Sequence, residues 1–171
     1  MKEKILEIRN LKKYFPVSAG FMKTDYIKAV DGVNLDIYRG ETVGLVGESG
    51  CGKSTLGRTI VRLYEPTAGE VYFNNQNISH LKGRYLKQLR KKMQLIFQDP
   101  YSSLNPRMNV NSLVGEAILA HGLAKKGAEY TEKVKHVIEI CGLSPYHIYR
   151  YPHQFSGGQR QRIGIARALA L

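Results

Sequence analysis

The alternation of apolar and polar residues near the start of the chain predicts β-structure. Alternation predicts strands at Ile5–Arg9 and Val33–Tyr38, the second with Val33, Leu35 and Ile37 on one face, and we expect these half-buried strands to pair antiparallel. Between them, the stretch from Pro16 to Tyr26 is rich in small residues and has no helical period, so it predicts a loop. Thr42–Val46 and Met93–Phe97 are instead short, nearly continuous apolar runs, typical of strands buried on both faces of a parallel sheet.

Apolar residues at helical spacing predict most of the remaining elements. Predicted helices begin at Lys53 and at Arg162 and cover Leu81–Lys91, Asn111–His121 and Thr131–Cys141, with one more strand at Glu70–Phe73. Gly122 and Gly142 directly follow two of these helices, as C-terminal caps often do. Strands that alternate with helices along the chain indicate an α/β fold.

Composition narrows the class of protein. The 171 residues are 43% hydrophobic and 23% charged, which fits a globular domain and excludes a disordered tail or a mini-protein. The two cysteines, Cys51 and Cys141, make neither a disulfide framework nor a zinc motif, so we expect a reducing compartment. We find no signal peptide and no apolar run of membrane-spanning length.

The charge balance raises two kinds of partner. Lys and Arg total 26 against 14 Asp and Glu, a net charge of +12, which suggests nucleic acid or an anionic membrane surface. A basic cluster within one predicted helix comprises Lys82, Arg84, Lys87, Arg90, Lys91 and Lys92. No helix-turn-helix, RNA-binding or zinc pattern accompanies it, and the tyrosines do not interleave with it as stacking platforms would. We therefore favour a solvated basic face near anionic headgroups and expect no nucleic acid partner.

A phosphate-binding loop lies between a predicted buried strand and a predicted helix. The pattern G-x-x-x-x-G-K-S/T is matched by Gly47, Glu48, Ser49, Gly50, Cys51, Gly52, Lys53, Ser54 and Thr55. Glycines let the backbone N–H groups converge on phosphate oxygens, and the helix presents its positive end to the same anion. Lys53 is expected to reach the β- and γ-phosphates, Ser54 to ligate Mg²⁺ and Thr55 to add a hydrogen bond. Cys51 is either a small residue that fits the loop or a reactive thiol beside Lys53.

A second glycine motif resembles that of a known protein family. Ser156, Gly157, Gly158 and Gln159, followed by Arg-Gln-Arg and a helix, resemble the signature motif of ATP-binding cassette (ABC) proteins. Its hydroxyl, its two glycines and the following helix N-terminus suit a second phosphate. The resemblance implies that two such subunits pair head to tail, each signature closing on the ATP of the other. It thereby assigns these four residues to ATP binding on a partner subunit.

Two further positions follow from the resemblance. Gln98, after the apolar run Met93–Phe97, resembles the Q-loop glutamine, whose carbonyl joins the Mg²⁺ shell or positions water. We assign it catalytic and metal-binding roles and give Lys53 a catalytic role as well. Residues 10–15 resemble the A-loop, whose aromatic ring stacks on adenine. We favour Phe15 over Tyr14 for that ring, and the choice between them stays open.

Finer resemblance points to one branch of importers. Residues 97–108 and 149–156 are similar to the dipeptide/oligopeptide/nickel branch, as is the long stretch after the A-loop. This implies transmembrane permease partners, indirect contact with an extracytoplasmic substrate-binding protein, and a peripheral position on the cytoplasmic face of the membrane. The transported substrate and the choice between homodimer and heterodimer stay open. The alternatives are a soluble ABC-type ATPase acting on nucleic acid or ribosomes and, less well supported, a P-loop kinase.

The resemblance also implies the domain organisation. We expect a P-loop NTPase of ABC type with an N-terminal antiparallel β subdomain, a partial parallel core sheet and a helical subdomain. Its parts are residues 1–40 (antiparallel part), 41–100 (P-loop core to Q-loop), 101–152 (helical subdomain) and 153–171 (signature motif and helix). The Walker B strand, its acidic pair and the switch histidine would follow Leu171. We therefore expect one incomplete cassette that hydrolyses ATP poorly by itself, and whether Leu171 is a natural end stays open.

Overall fold

The computed structural model describes residues 2–18, 20 and 24–171. The chain divides after Arg90 into two compact units, the second being Lys91–Leu171. Among the described residues, no helix is long and apolar enough to cross a bilayer. Each unit is built around its own set of buried apolar side chains.

The first unit is built on an antiparallel sheet of four strands in the order β2-β1-β3-β4. The strands are β1 (Lys4–Ser18), β2 (Thr24–Tyr38), β3 (Ala68–Phe73) and β4 (Gln76–Asn77), and the helices are α1 (Lys53–Ile60) and α2 (Gly83–Leu89). Ile8 on β1 lies opposite Leu35 on β2 and Val71 on β3. Ile8 and Val71 are both buried, so the antiparallel pair expected from the alternation is confirmed.

The loop predicted from Pro16 to Tyr26 is largely strand. Pro16 pairs with Tyr26 and Ser18 with Thr24, so β1 and β2 continue as a ribbon beyond the part of β1 that pairs with β3. The prediction was wrong because the ribbon is stabilised by backbone pairing while most of its side chains are exposed, which leaves no alternating pattern to detect. The remainder of the predicted loop, residues 19 and 21–23, lies outside the described residues.

The two runs expected to form parallel strands are not strands. Thr42–Val46 and Met93–Phe97 carry no strand assignment, so the partial parallel core sheet does not form among the described residues. A parallel strand requires ladder hydrogen bonds from a neighbour, and neither segment receives them here. Leu45, Val46 and Ile96 are 53%, 94% and 46% exposed, in contrast to the burial on both faces that their composition predicts.

The second unit is helical, as the periodicity predicts. Its helices are α3 (Pro100–Ser103), α4 (Val110–Ala120), α5 (Ala128–Ile140) and α6 (Gly157–Leu169), with 3-10 turns at Pro145–Tyr149 and Pro152–Gln154. Gly122 and Gly142 follow α4 and α5 with φ of 66° and 72°, the left-handed conformation expected of glycine caps. One cluster buries residues of α4, α5 and α6 together, including Val114, Val134 and Ile163, and so fixes the position of α6.

Candidate functional site

The glycine loop is fixed to the sheet by a close backbone approach. Gly52 has a φ of 95°, and a Cβ at this position would lie 2.0 Å from the carbonyl oxygen of Ala29 on β2. Only glycine combines the left-handed conformation with that proximity. The loop therefore enters α1 in one defined direction, set by its contact with β2.

The first turn of α1 is left open to an anion. The first hydrogen bond back from the helix runs from the Leu56 N–H to the Gly52 carbonyl, at 2.8 Å, so the N–H groups of residues 53–55 lack helical acceptors. No side chain caps this end, and the first turn contains no acidic residue. Uncapped N–H groups and the positive helix end together suit a phosphate.

Lys53 brings its positive charge to the same loop. Its Nζ donates to the carbonyl oxygens of Gly47 and Glu48, at 2.8 and 2.5 Å, and lies 3.4 Å from the Sγ of Cys51. The ammonium is thus folded back over the loop, where it would contact an anion held by the backbone. Ser54 and Cys51 are both exposed, so the hydroxyl and the thiol are accessible from outside the loop.

Phe15 and Tyr14 differ in what holds their rings. Phe15 packs edge-on against Tyr64, with ring centroids 5.4 Å apart, and the Lys13 ammonium lies 5.0 Å from the Phe15 ring. Tyr14 donates its hydroxyl to Oδ1 of Asp31 at 2.5 Å, a bond that raises the pKa of Tyr14 and lowers that of Asp31. Tyr14 is therefore committed to a polar contact, whereas Phe15 presents an apolar ring. Tyr64 was not predicted, because no spacing rule links it to β1.

Gln98 belongs to the second unit, in a bend that leads into α3. It is exposed, and the next residue caps the helix: Oδ1 of Asp99 accepts from the Tyr101 N–H at 2.8 Å. Hydrogen bonds from Ser102 and from the Tyr101 N–H lower the pKa of Asp99. The cap fixes the backbone just after Gln98 and leaves the glutamine side chain free of helical packing.

The signature residues form the first turn of α6. Ser156 and Gln159 make a reciprocal cap, with Ser156 N–H to Gln159 Oε1 at 3.0 Å and Gln159 N–H to Ser156 Oγ at 3.3 Å. Gly157 and Gly158 begin the helix without left-handed φ, and a Cβ at either would meet no atom within 4 Å. Neither the backbone nor the packing of this chain requires glycine at these positions.

Two arginines that sequence reasoning gave no role tie α6 to α3. Arg160 is buried, donates its Nε to the Pro152 carbonyl at 2.7 Å and places its guanidinium 3.7 Å from the centre of the Tyr101 ring. Arg167 donates to the Ser103 carbonyl at 2.8 Å. The segment just after Gln98 and the signature helix are thereby held together within the second unit. Arginine is usually a surface residue, so no pattern in the sequence indicated this burial.

The predicted site residues fall into two groups. Phe15 and residues 47–55 lie in the first unit, while Gln98 and residues 156–159 lie in the second. Each group has a helix start suited to an anion, and the assignment of ATP and Mg²⁺ to these residues stays a prediction.

Comparison with known proteins decides the family. The family described as "ABC transporter" matches residues 30–171, which is most of the chain. The chain belongs to the ABC transporter family. The resemblance to ABC proteins is therefore confirmed. It extends over most of the sequence and does not rest on the signature motif alone.

The curated relatives are named as transport ATP-binding proteins. The chain is 56% identical to the oligopeptide transport ATP-binding protein OppF of Bacillus subtilis, covering 100% of this chain and 55% of OppF. It is 50% identical to the dipeptide transport ATP-binding protein DppF of Lactococcus lactis, covering 99% of this chain and 54% of DppF. The chain thus spans about half the length of the curated relatives it matches.

A solved structure confirms the cassette fold. A dimeric ATP-binding cassette in a post-hydrolysis state with ADP and phosphate superposes with a TM-score of 0.80 at 32% identity, covering 97% of this chain and 69% of that one. The ABC-type fold class, with its antiparallel N-terminal sheet and its helices, is therefore confirmed.

Proposed function

We propose that the chain is the ATP-binding part of an ABC ATPase that drives peptide import. The observation that carries this is the glycine loop fixed to β2, with Lys53 folded over it and the first turn of α1 uncapped. Relatives named as oligopeptide and dipeptide transport ATP-binding proteins supply the substrate class.

In this proposal the first unit holds the nucleotide. Backbone N–H groups of residues 47–55 and the Lys53 ammonium bind the phosphates, and Phe15 stacks on adenine. The exposed Ser54 hydroxyl contributes an oxygen to Mg²⁺, which neutralises charge on the phosphate oxygens when bound. Tyr64 supports the Phe15 ring by its edge-on contact and so holds the stacking face in position.

Gln98 serves the hydrolytic step. Its side-chain carbonyl orients a water molecule or adds an oxygen to the Mg²⁺ shell. Little covalent chemistry is asked of the protein, because in-line attack of water on the γ-phosphate is promoted by positioning and electrostatics. The Asp99 cap and the contact of Tyr101 with Arg160 hold the backbone beside Gln98.

The signature turn engages ATP on a second subunit. Gly157 and Gly158 expose a side-chain-free surface at the start of α6, and that surface allows the closest approach of another chain. A head-to-tail pair would set each signature turn against the phosphates of its partner. The assembly then sits on transmembrane permease subunits at the cytoplasmic face of the membrane, with a substrate-binding protein acting through the permease.

Nucleotide binding tests the first step. We expect Lys53→Met in the 171-residue chain to weaken MgATP binding about 100-fold in calorimetry, because a charge-assisted contact of up to about 3 kcal/mol is lost. Lys126→Met removes the same charge from an exposed position elsewhere and should leave the affinity unchanged. Equal affinity for both variants, with unaltered urea unfolding, would remove Lys53 and the loop from the proposal.

A further inference from the structure

The basic cluster on α2 is not explained by the fold. Leu89 is the buried residue of this helix, at 6% exposed, while Lys82, Arg84 and Lys87 are exposed. These three cations make no ion pair within the described part of the chain. We call Lys82, Arg84, Tyr85 and Lys87 the α2 surface.

The positions of these charges oppose helix formation. Lys82 is the N-cap residue of α2 and Arg84 lies in its first turn, where the helix dipole disfavours positive charge. Arg84 and Lys87 are also three residues apart on one helix, a spacing at which like charges repel. No acidic residue occurs between Glu70 and Asp99 to compensate. Charges that folding disfavours, all three at exposed positions, point to a ligand outside the chain.

The surface chemistry fits an anionic lipid bilayer. One tyrosine, Tyr85, does lie among the cations, contrary to the expectation from the sequence, and is 52% exposed; an amphipathic ring beside lysine and arginine suits the headgroup region. Single-stranded RNA or DNA stacks its successive bases on several rings, but the α2 surface offers one ring, Tyr85, with the Arg84 guanidinium 5.0 Å from its centre. Lys82 and Lys87 have long flexible stems that reach headgroup phosphates without fixed geometry.

We infer that the α2 surface binds the anionic headgroups of a lipid bilayer. The cations attract the phosphates, and Tyr85 lies at the level of the headgroups. This inference rests on the proposed role at a membrane transporter, but its test requires neither nucleotide nor permease. Loss of ATP binding would therefore contradict the proposed function and leave the vesicle result unchanged. Loss of vesicle binding would contradict this inference and leave the proposed function unchanged.

Vesicle sedimentation tests the charges. Phosphatidylcholine vesicles containing phosphatidylglycerol should bind the chain, and the combined change Lys82→Gln, Arg84→Gln and Lys87→Gln should weaken binding about 100-fold. Because the whole chain is basic, the control removes the same charge elsewhere through Arg107→Gln, Lys125→Gln and Lys126→Gln, all at exposed positions. Equal loss in both triple variants would mean that net charge alone binds the vesicles and would overturn the inference.

A fluorescent reporter tests the orientation. The chain contains no tryptophan, so Tyr85→Trp gives a single indole whose emission should shift to shorter wavelength with anionic vesicles and not with pure phosphatidylcholine. Tyr146→Trp, at a tyrosine that is 82% exposed, is the matched control and should not shift. A shift at the control alone would overturn the inference. So would a triple variant that loses binding to an RNA oligonucleotide while keeping vesicle binding.

Discussion

The two glycine-rich helix starts look alike in sequence but are built in opposite ways. At α1, Gly52 is dictated by the chain itself, with φ at 95° and no room for a Cβ beside Ala29. At α6, Gly157 and Gly158 have ordinary helical conformations and open space around them. The first glycine serves the fold of its own unit, whereas the second pair leaves a smooth surface for something outside the chain.

The two helix starts also differ in how their first turns are capped. The first turn of α1 has no side-chain cap, so its N–H groups are available to an anion. The first turn of α6 closes on itself through Ser156 and Gln159, which satisfies part of its hydrogen-bonding capacity internally. An anion at α1 would complete a site that is otherwise open, while one at α6 would add to a turn already stable.

The largest expected effect is at Gly52. Gly52→Ala should destabilise the chain by at least about 3 kcal/mol, because the new Cβ meets a backbone oxygen and the left-handed φ is strained. Urea unfolding measures this loss. Gly57→Ala on the same helix has open space and should instead stabilise α1 by about 1 kcal/mol. If Gly52→Ala were as mild as Gly57→Ala, the loop would not be fixed against β2.

Two substitutions of Ser156 distinguish its role as the helix cap from the proposed contact with phosphate. Ser156→Ala should cost about 1 kcal/mol in urea unfolding, since α6 loses its N-cap hydrogen bond, whereas Ser156→Asp should keep the stability. The aspartate places a negative charge where we propose a partner's phosphate. The ATPase activity of the assembled transporter should therefore fall for Ser156→Asp despite its intact fold. Full activity with Ser156→Asp would contradict a phosphate at this turn.

Local patterns were predictable from the sequence and non-local ones were not. The α4 and α5 helices follow from their own periodicity and are followed by Gly122 and Gly142, so no distant contact is needed to predict them. The composition of the apolar run Thr42–Val46 predicts a strand, but a strand also needs a neighbouring strand to pair with, and the run carries no strand assignment.

The candidate site likewise has a local part that the sequence predicts and non-local contacts that it does not. The glycine loop is a contiguous motif, and its helix begins at Lys53 as the pattern predicts. The contacts of Arg160 with Pro152 and Tyr101 join segments far apart in sequence and could not be predicted. Tyr64 beside Phe15 is missed for the same reason, because side-chain contacts between separate elements have no local signature.

The smallest expected effect is at Gly158, where the direction of the change in stability matters more than its size. Gly158→Ala should stabilise the chain by up to about 1 kcal/mol, because alanine is the better helix former and its Cβ meets nothing. Gly115→Ala in α4 is the matched control: its Cβ would lie 2.2 Å from the Tyr130 hydroxyl oxygen, so the same change should destabilise. Urea midpoints that move in opposite directions would show that glycine at position 158 lowers the stability of the chain. A loss of stability in both variants would mean that α6 needs its glycine for packing, and the contrast with α1 would fail.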